Sequence, residues 1–270
     1  MRAESRWAVL RHLVLAASDA LAASGRVAAA LRLPEGFGDP ELAAIGLIDR
    51  NMPVGGQRYL EVVGPLGPGS YINRWLGRVG GQGGYCLSVQ VPDVAACRQR
   101  ALERGVRLAA DQEVLGYRII QLHPADMGVL LELDGIPDRG RWFWDDITPG
   151  PRPDALIDDI TAVTVGVPDP EAAAALWADV IGLELVTPTR LDFSGCVIEF
   201  TGHPRGQLLA ATFRLAGQAS ASASASADLP TSLLGLRTAY AAADAAERAV
   251  APSSGAVTSE DGGQGGTSSG

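Results

Sequence analysis

Three segments of the chain repeat one pattern, and this repeat limits the possible folds more than any other feature. They are LVLAASDALAASGRVAAALRL (13–33), LSVQVPDVAACRQRALERGVRL (87–108) and AVTVGVPDPEAAAALWADVIGLEL (162–185). Each begins with an apolar run that is typical of a buried strand. Each then reaches an aspartate (Asp19, Asp93 or Asp169), which is placed to accept hydrogen bonds from the first backbone N–H groups of a helix. The pattern therefore predicts three strand–helix units.

Short strands separated by glycine and proline follow each predicted helix. They are LAAIGLIDRN and GQRYLEVVGP in the first unit, GYRIIQLHP and GVLLELDG in the second, and RLDFSG and CVIEFTG in the third. The repeating module is therefore a strand, a helix and up to three further strands. One face of such a sheet lies under the helix, so two modules bury part of their bare faces together and leave a concave pocket between them.

The repeats divide the 270 residues into two compact regions and a tail. Residues 8–137 are predicted to form one domain of two modules, 8–66 and 83–136, and residues 138–157 a linker. Residues 158–217 are predicted to form a second, degenerate region, in which 207–217 is a strand that opens a fourth module. Residues 218–270 are predicted to be a low-complexity, largely disordered tail. Within it, LLGLRTAYAAADAAERAVA has the composition of a helix.

The charge and the cysteine content exclude several classes of partner. The formal net charge is −9, so we expect neither a nucleic-acid partner nor a membrane partner, because both attract basic surfaces. The three cysteines are an odd number without a CxxC pair, which favours a reducing, cytoplasmic location. Arg11, His12 and Asp19 interrupt the N-terminal apolar stretch, so we expect folded structure there rather than a signal peptide.

A carboxylate recurs in the last strand of each module: Glu61 in YLEVV, Glu132 in LLELD and Glu199 in VIEF. A glutamate that faces a dry core is costly, so three copies in register indicate a face that is wet or lines a site. The alternative is an edge strand whose glutamate points to solvent.

The positions seven residues before the three capping aspartates hold His12, Cys86 and Ala162. The third module therefore lacks a histidine at this place, and Glu199 alone cannot hold a metal ion. We expect the second half to be structural or to form a partner surface. An unpaired third module with a bare sheet face would also favour a homodimer.

The segments HLVLAASD, YLEVVGP and LHPADMGVLLELDG resemble the superfamily of glyoxalase I, methylmalonyl-CoA epimerase, extradiol dioxygenases and bleomycin-resistance proteins, known as the vicinal-oxygen-chelate superfamily. NMPVGGQRYLEVVGP and GGYCLSVQVPD resemble its glyoxalase-like bacterial members. The resemblance covers residues 8–136 and, more weakly, 158–217. It implies an α+β fold of tandem βαβββ modules, with two paired modules forming a cupped sheet and a further, partly degenerate pair.

The resemblance also implies a divalent metal ion in the first cup. Metal-dependent members bind it through a histidine near the start of the first strand and through the last strand of each module, which here implicates His12, Glu61 and Glu132. Such donors suit zinc, manganese, nickel, cobalt or iron. The fourth ligand position holds Cys86, which is either a thiolate ligand or, as we favour, a small apolar wall residue. His12 has its own alternative interpretation as a satisfied core residue.

Four further places are candidates for the pocket. Met52 and Tyr59 flank the first hairpin and are predicted as pocket walls. His123 precedes Pro124 and is interpreted first as a turn residue and second as a pocket residue. The cluster 142–144 (Trp, Phe, Trp) packs the linker or closes one end of the pocket.

Three functions remain open at this point. The first is a metal-dependent lyase, isomerase or hydrolase of a small oxygenated metabolite, in which the ion polarises a carbonyl and Glu61 or Glu132 acts as general base. The alternative is a metal-free small-molecule binding protein of the bleomycin-resistance type. A third is a scaffold with a vestigial pocket. The register of His12 with the two glutamates favours the enzyme, whereas Cys86 and the degenerate second half favour the binding protein.

Overall fold

The structure, a computed structural model, describes residues 6–144, 152–217 and 229–242. The first half contains β1 (Val9–Ala17), α1 (Ala20–Leu31), a 3-10 helix (Pro40–Ile45), β2 (Leu47–Gly55), β3 (Arg58–Pro65), α2 (Ile72–Val79), β4 (Gln82–Val91), α3 (Val94–Glu103), β5 (Leu108–Val114), β6 (Tyr117–Leu122), α4 (Pro124–Met127) and β7 (Leu130–Gly135). The second half contains β8 (Ile157–Val167), α5 (Pro170–Ile181), β9 (Arg190–Asp192), β10 (Val197–Gly202), β11 (Gln207–Leu215), β12 (Ser232–Leu233) and β13 (Leu236–Ala241).

The helix that follows the first strand of each repeat begins where the capping aspartate predicts. The carboxylates of Asp19, Asp93 and Asp169 accept hydrogen bonds from the backbone N–H three residues on, which satisfies a donor that the helix cannot pair internally. The helices α1, α3 and α5 are thus equivalent elements of three modules, and the predicted repeat is confirmed.

The first half is a seven-stranded sheet in the order β2-β3-β1-β4-β7-β6-β5. The two modules meet at β1 and β4, which pair antiparallel, and each of these strands has the last strand of its own module, β3 or β7, as a parallel neighbour. The first module has one strand fewer. Its missing strand is reduced to an isolated bridge between Phe37 and Asn51, and the predicted strand LAAIGLIDRN starts only at Leu47, because the 3-10 helix takes up the residues before it.

The second half is a six-stranded sheet in the order β12-β13-β11-β8-β10-β9. β11 pairs antiparallel with β8, as β4 does with β1, and β13 runs parallel to β11, as β7 does to β4. The strand predicted at 207–217 is therefore the first strand of a fourth module, and β12 and β13 continue that module. The predicted fold class, with two paired modules forming one sheet and a further, partly degenerate pair, is confirmed.

The tail prediction needs a correction. Residues 229–242 lie in the second sheet, and Leu236–Ala241 is a strand rather than part of a helix, because pairing with β11 overrides the weak helix preference of its residues. Residues 218–228 and 243–270 lie outside the described part of the chain.

The third module pairs with the fourth module through β8 and β11. The homodimer was expected because the third module would lack such a partner, so that reason no longer holds. The homodimer itself stays a prediction.

The two halves share one hydrophobic core. Trp177 of α5 is fully buried, and its indole N–H donates to the Met127 carbonyl of the first half (3.0 Å). Arg58 of β3 donates to Asp159 (2.5 Å) and to the Ser194 carbonyl (2.7 Å) of the second half. No helix among the described residues is long and apolar enough to cross a membrane.

Candidate functional site

A cavity of about 270 Å³ opens on the bare face of the first sheet. Strands β1 and β3 of one module and β4 and β7 of the other form its floor, and the segment that follows β7 covers one end. The polar residues that line it are His12, Asp39, Glu41, Asp49, Asn51, Glu61, Tyr71, Tyr85, Ser88, Gln112, Glu113, Gln121, Glu132, Asp134 and Trp142.

The recurring glutamates occupy one register position. Glu61, Glu132 and Glu199 each lie opposite the residue that is five positions before the capping aspartate of their module. Glu61 and Glu132 both line the first cavity, one from each module. The repeat therefore brings two carboxyl groups to the same pocket, as their sequence positions predict.

His12 is held at both ring nitrogens. Its Nδ1 lies 2.7 Å from Glu61 Oε2, and its Nε2 accepts a hydrogen bond from the indole N–H of Trp142 (3.1 Å). Burial lowers the pKa of His12 to about 4, so the ring is neutral at pH 7. Because Nε2 is an acceptor, the single ring proton is on Nδ1 and is donated to Glu61.

Burial raises the pKa values of the carboxyl groups around the cavity. It raises that of Glu61 to about 8, with a further contribution from the charge of Asp39. It also raises the pKa of Asp49 to about 7, with Glu61 contributing, and that of Glu132, whose Oε2 accepts a hydrogen bond from the Gln121 amide (2.7 Å). Each group is costly to ionise because neighbouring carboxylates would add repulsion to the loss of water.

The chemistry of His12, Glu61 and Glu132 suits a divalent ion, but their placement does not. Both nitrogens of His12 are engaged by protein partners, and Oε2 of Glu132 accepts a hydrogen bond from Gln121. Across residues 6–144, 152–217 and 229–242, no group of three or more His, Cys, Asp or Glu is arranged to hold a metal ion. As placed, these residues do not fit a bound metal.

Cys86 lines the cavity as a buried, neutral thiol. Its side chain belongs to an apolar cluster that includes Val14 and Leu130. Burial, with the nearby charges of Glu132 and Glu61, raises its pKa well above that of an ordinary thiol. This environment favours the wall interpretation over the thiolate ligand, since a thiolate would need a lowered pKa.

The other pocket candidates lie elsewhere, which corrects their assignment. Met52 is fully buried in the main core, where β2 turns its side chain away from the cavity. Tyr59 is buried behind His12, with the ring centroids 4.9 Å apart. His123 caps α4, its Nδ1 accepting the N–H of Ala125 (3.1 Å), as expected for a turn residue.

Several lining residues were missed from the sequence, although a signal for them exists. Asp134 follows Glu132 by two positions, and Ser88 follows Cys86 by two, so each pair shares a face of its strand. Asp49 and Asn51 stand in the same relation on β2. The aromatic segment 142–144 closes one end of the cavity, which was the second of its two interpretations.

No family model and no curated protein sequence matches this chain. Among solved structures, it is similar to methylmalonyl-CoA epimerase from Mycobacterium tuberculosis (28% identity, TM-score 0.42, 50% of this chain and 91% of that chain). It is also similar to the Streptomyces coelicolor methylmalonyl-CoA epimerase in complex with 2-nitronate-propionyl-CoA (25% identity, TM-score 0.42, 47% and 95%). A hypothetical protein from Bacillus halodurans is a third such structure (21% identity, TM-score 0.43, 50% and 99%).

These neighbours belong to the glyoxalase and vicinal-oxygen-chelate superfamily, and each corresponds to about half of this chain. The strand order, the parallel pairing of the first and last strands in each module, and the shared register of the glutamates are observed in this chain itself. On that topology, the chain has the paired βαβββ fold of the vicinal-oxygen-chelate superfamily.

Proposed function

We propose that the cup of the first half binds a small organic molecule and does so without a metal ion. The state of His12 carries the proposal: both of its nitrogens are hydrogen-bonded to protein groups, yet a cavity of about 270 Å³ lies beside it. A concave site with an aromatic wall and several converging polar groups is typical of small-molecule binding. Within the cup, Glu61 and Glu132 would contact the bound molecule.

Metal analysis of the purified protein tests this proposal. We expect far less than one equivalent of zinc, manganese, nickel, cobalt or iron, and no change in the unfolding temperature on adding Mn²⁺, Ni²⁺ or Zn²⁺, since an ion that binds only the native state would raise it. The His12→Ala variant should behave in the same way, with Glu199→Gln as the matched control in the second half. A stoichiometric metal that is retained by Glu199→Gln and lost from His12→Ala would overturn the proposal.

A metal-dependent isomerase or lyase of a small oxygenated metabolite is the second candidate. It is favoured by the two cavity-facing carboxyl groups at equivalent positions, one from each module. A carboxyl group such as Glu61, whose burial raises its pKa to about 8, is suited to exchange protons with a ligand near neutral pH. A bound ion would require His12 Nε2 to be released from Trp142.

Proton exchange distinguishes the second candidate from the first. Dihydroxyacetone is incubated with the protein in D₂O, with and without Mn²⁺, and deuterium incorporation next to the carbonyl is followed by NMR. Exchange that requires Mn²⁺ and is lost in both Glu61→Gln and Glu132→Gln would support an enzyme. Deuterium incorporation no faster than in buffer without protein would reject the enzyme and retain the binding protein.

All three cysteines are free and buried, so they offer no disulfide between the modules. A cytoplasmic location remains a prediction from the cysteine pattern.

A further inference from the structure

We propose that the molecule bound in the cup is an organic cation, with a protonated amine inside the cavity and an apolar body toward its mouth. This inference rests on the proposed function and specifies its ligand. The first support is charge. Seven acidic side chains line the cavity, and no lysine or arginine is among its described lining residues: Asp39, Glu41, Asp49, Glu61, Glu113, Glu132 and Asp134.

The whole chain has 31 acidic and 22 basic side chains, so the cavity is far more acidic than the protein as a whole. Burial makes these carboxyl groups costly to ionise, and a bound ammonium group would offset that cost by stabilising their ionised forms, whereas a bound carboxylate or phosphate would increase it. A ligand with an anionic group would find no basic side chain in the lining to neutralise it.

Arg11 lies beside Trp142 but is not one of the lining residues. Arg11 donates to the side chain of Gln90 and to the carbonyls of Gln57 and Arg139, and its guanidinium carbon lies 5.2 Å from the centroid of the Trp142 ring. These contacts hold Arg11 outside the cavity lining. Besides the larger effect of burial, its positive charge acts on the lining groups His12 and Asp134 by lowering their pKa values, but its N–H groups are directed to Gln90 and the two carbonyls.

Two buried acceptor atoms provide independent support. Asp134 Oδ1 and Asn51 Oδ1 have no hydrogen-bond partner in the described chain, although both residues are 1% exposed and line the cavity. The remaining polar atoms of these side chains are engaged: Asp134 Oδ2 accepts from Ser88 (2.7 Å), and the Asn51 amide donates to Asp49 (2.5 Å). An ammonium group carries three donors, so it would supply a partner for both atoms and would stabilise the ionised form of Asp134.

The walls of the cavity suit a cation as well. Trp142, Phe143 and Trp144 line one end, and Tyr71 and Tyr85 line another part. The electron-rich face of an aromatic ring attracts an ammonium group, and rings combined with carboxylates are a recurring way to bind organic amines.

The mouth of the cavity carries exposed apolar groups. Ile45 and Leu115 both belong to the lining, and they are 46% and 60% exposed. Leu115 sits in the tight turn between β5 and β6 with a positive φ of 50°, which holds its side chain at the rim. These side chains would cover the apolar body of a ligand whose amine lies further inside.

Three probes of similar size and different charge test the inference: 2-phenylethylammonium, 2-phenylethanol and 3-phenylpropionate. Binding is measured by isothermal titration calorimetry and ligand-observed NMR at low salt. We expect the amine to bind at least about tenfold more tightly than the alcohol, the carboxylate to bind most weakly, and added salt to weaken the amine alone. Equal affinities for the amine and the alcohol, or a preference for the carboxylate, would overturn the inference.

Charge-removing variants give the matched comparison. Asp134→Asn should weaken amine binding by about tenfold and leave alcohol binding unchanged, whereas Glu199→Gln should change neither. The double variant Glu41→Gln/Glu113→Gln alters two exposed groups at the mouth, so it keeps the test valid if Asp134→Asn does not fold; we expect it to weaken amine binding by roughly twofold. An unchanged amine affinity in this double variant and in folded Asp134→Asn would contradict the inference.

The outcomes separate this inference from the proposed function. Binding of the alcohol without a preference for the amine rejects the cationic ligand and retains a small-molecule cup. Absence of binding by all three probes at roughly 10 mM, a concentration that would fill most of a site with a dissociation constant of 1 mM, would count against the cup as a small-molecule site.

Discussion

The first and second halves of this protein each have a glutamate at the same position of the module, Glu61 and Glu199, but the surroundings of the two side chains differ. Glu61 is buried beside His12, in a cavity lined by other carboxyl groups. Glu199 is partly exposed and pairs with Arg190 on the neighbouring strand (2.6 Å). The position equivalent to His12 is Ala162. One backbone pattern thus produces a cavity lined by polar side chains in one half and an ordinary surface ion pair in the other.

The difference shows how a module that lines the cavity differs from a module that only packs against it. In the second half, the guanidinium of Arg190 donates to Glu199 and balances its charge at the protein surface. In the first half, five buried or half-buried carboxyl groups line one cavity, and burial raises the pKa of each, as is common at functional sites: Asp39, Asp49, Glu61, Glu132 and Asp134.

Removing the buried side chain of Trp177, which links the second half to the first, should give the largest effect. Trp177 is fully buried, packs against Phe193 and Phe200, and donates to the Met127 carbonyl of the first half. We expect Trp177→Ala to lower the free energy of unfolding by about 3–5 kcal/mol in urea titrations, because it leaves a large cavity. If the second half only supports the first, both halves should lose stability in a single transition.

Two readouts make this test sharper. Trp177→Phe is the control, since it keeps an aromatic ring in the core and should lose clearly less stability than alanine. Amide exchange measured by NMR or mass spectrometry reports each half separately. Faster exchange confined to β8–β13, with the first sheet unchanged, would show that the halves are independent.

The pH dependence of stability should separate Glu61 from Glu199. The pKa of Glu61 is raised to about 8 in the native protein, so between its ordinary value near 4.5 and about 8 the native state binds more protons than the unfolded state. Stability therefore falls as the pH rises through this window. His12, with a native pKa of about 4 and an ordinary value of 6.5, adds a small slope of opposite sign just above pH 6.5, because the unfolded state still binds its proton there.

Between pH 6.5 and 8 we expect Glu61 to contribute a loss of roughly 2 kcal/mol, since one group changes the free energy by at most about 1.4 kcal/mol per pH unit. Glu61→Gln should remove that part of the slope, whereas Glu199→Gln should keep the wild-type profile. The remaining slope reflects the other carboxyl groups whose pKa values are raised in the native state, namely Asp49, Glu132 and Asp134. Identical pH profiles of stability for Glu61→Gln and the wild type would show that Glu61, like Glu199, does not contribute to the pH dependence.

The modules could be predicted from the sequence because their signals are local. A capping aspartate and the apolar run before it lie within a few residues of each other, so Asp19, Asp93 and Asp169 identify three helices correctly. The strand at 236–241 was missed because its partner, β11, lies more than 20 residues earlier and its own composition favours a helix. Long-range pairing of this kind has no local signature.

The site was predictable only in part, for a related reason. The repeat placed His12, Glu61 and Glu132 on one face, and that face does line the cavity. The hydrogen bond from Trp142 to His12 joins residues 130 positions apart, and no repeat or spacing indicates it. That hydrogen bond decides whether Nε2 of His12 is free to bind a metal ion. The chemistry of the site therefore depends on a long-range contact that cannot be predicted from the sequence.

Trp142→Phe should have a moderate effect that is specific to the first half. The change keeps the aromatic ring and removes the N–H that donates to His12 Nε2, so we expect a loss of about 1 kcal/mol in the free energy of unfolding. In the wild type, ¹⁵N NMR of the imidazole should show a neutral ring with the proton on Nδ1. In the variant, a mixture of both neutral forms should appear, because Nε2 no longer has a fixed donor. A wild-type ring with its proton on Nε2 would contradict the assigned hydrogen bond.

Glu199→Gln should have the smallest effect, and this expectation completes the comparison of the two halves. The Arg190–Glu199 pair is formed by side chains that are 48% and 39% exposed, and exposed ion pairs contribute about 0–1 kcal/mol because water and salt screen them. We therefore expect a change below about 0.5 kcal/mol in urea unfolding, which moderate salt further reduces. Arg190→Gln should give the same small change. A loss of more than about 2 kcal/mol in either variant would mean that the second-half glutamate is as strongly coupled to the fold as Glu61, and the contrast between site and support would no longer hold.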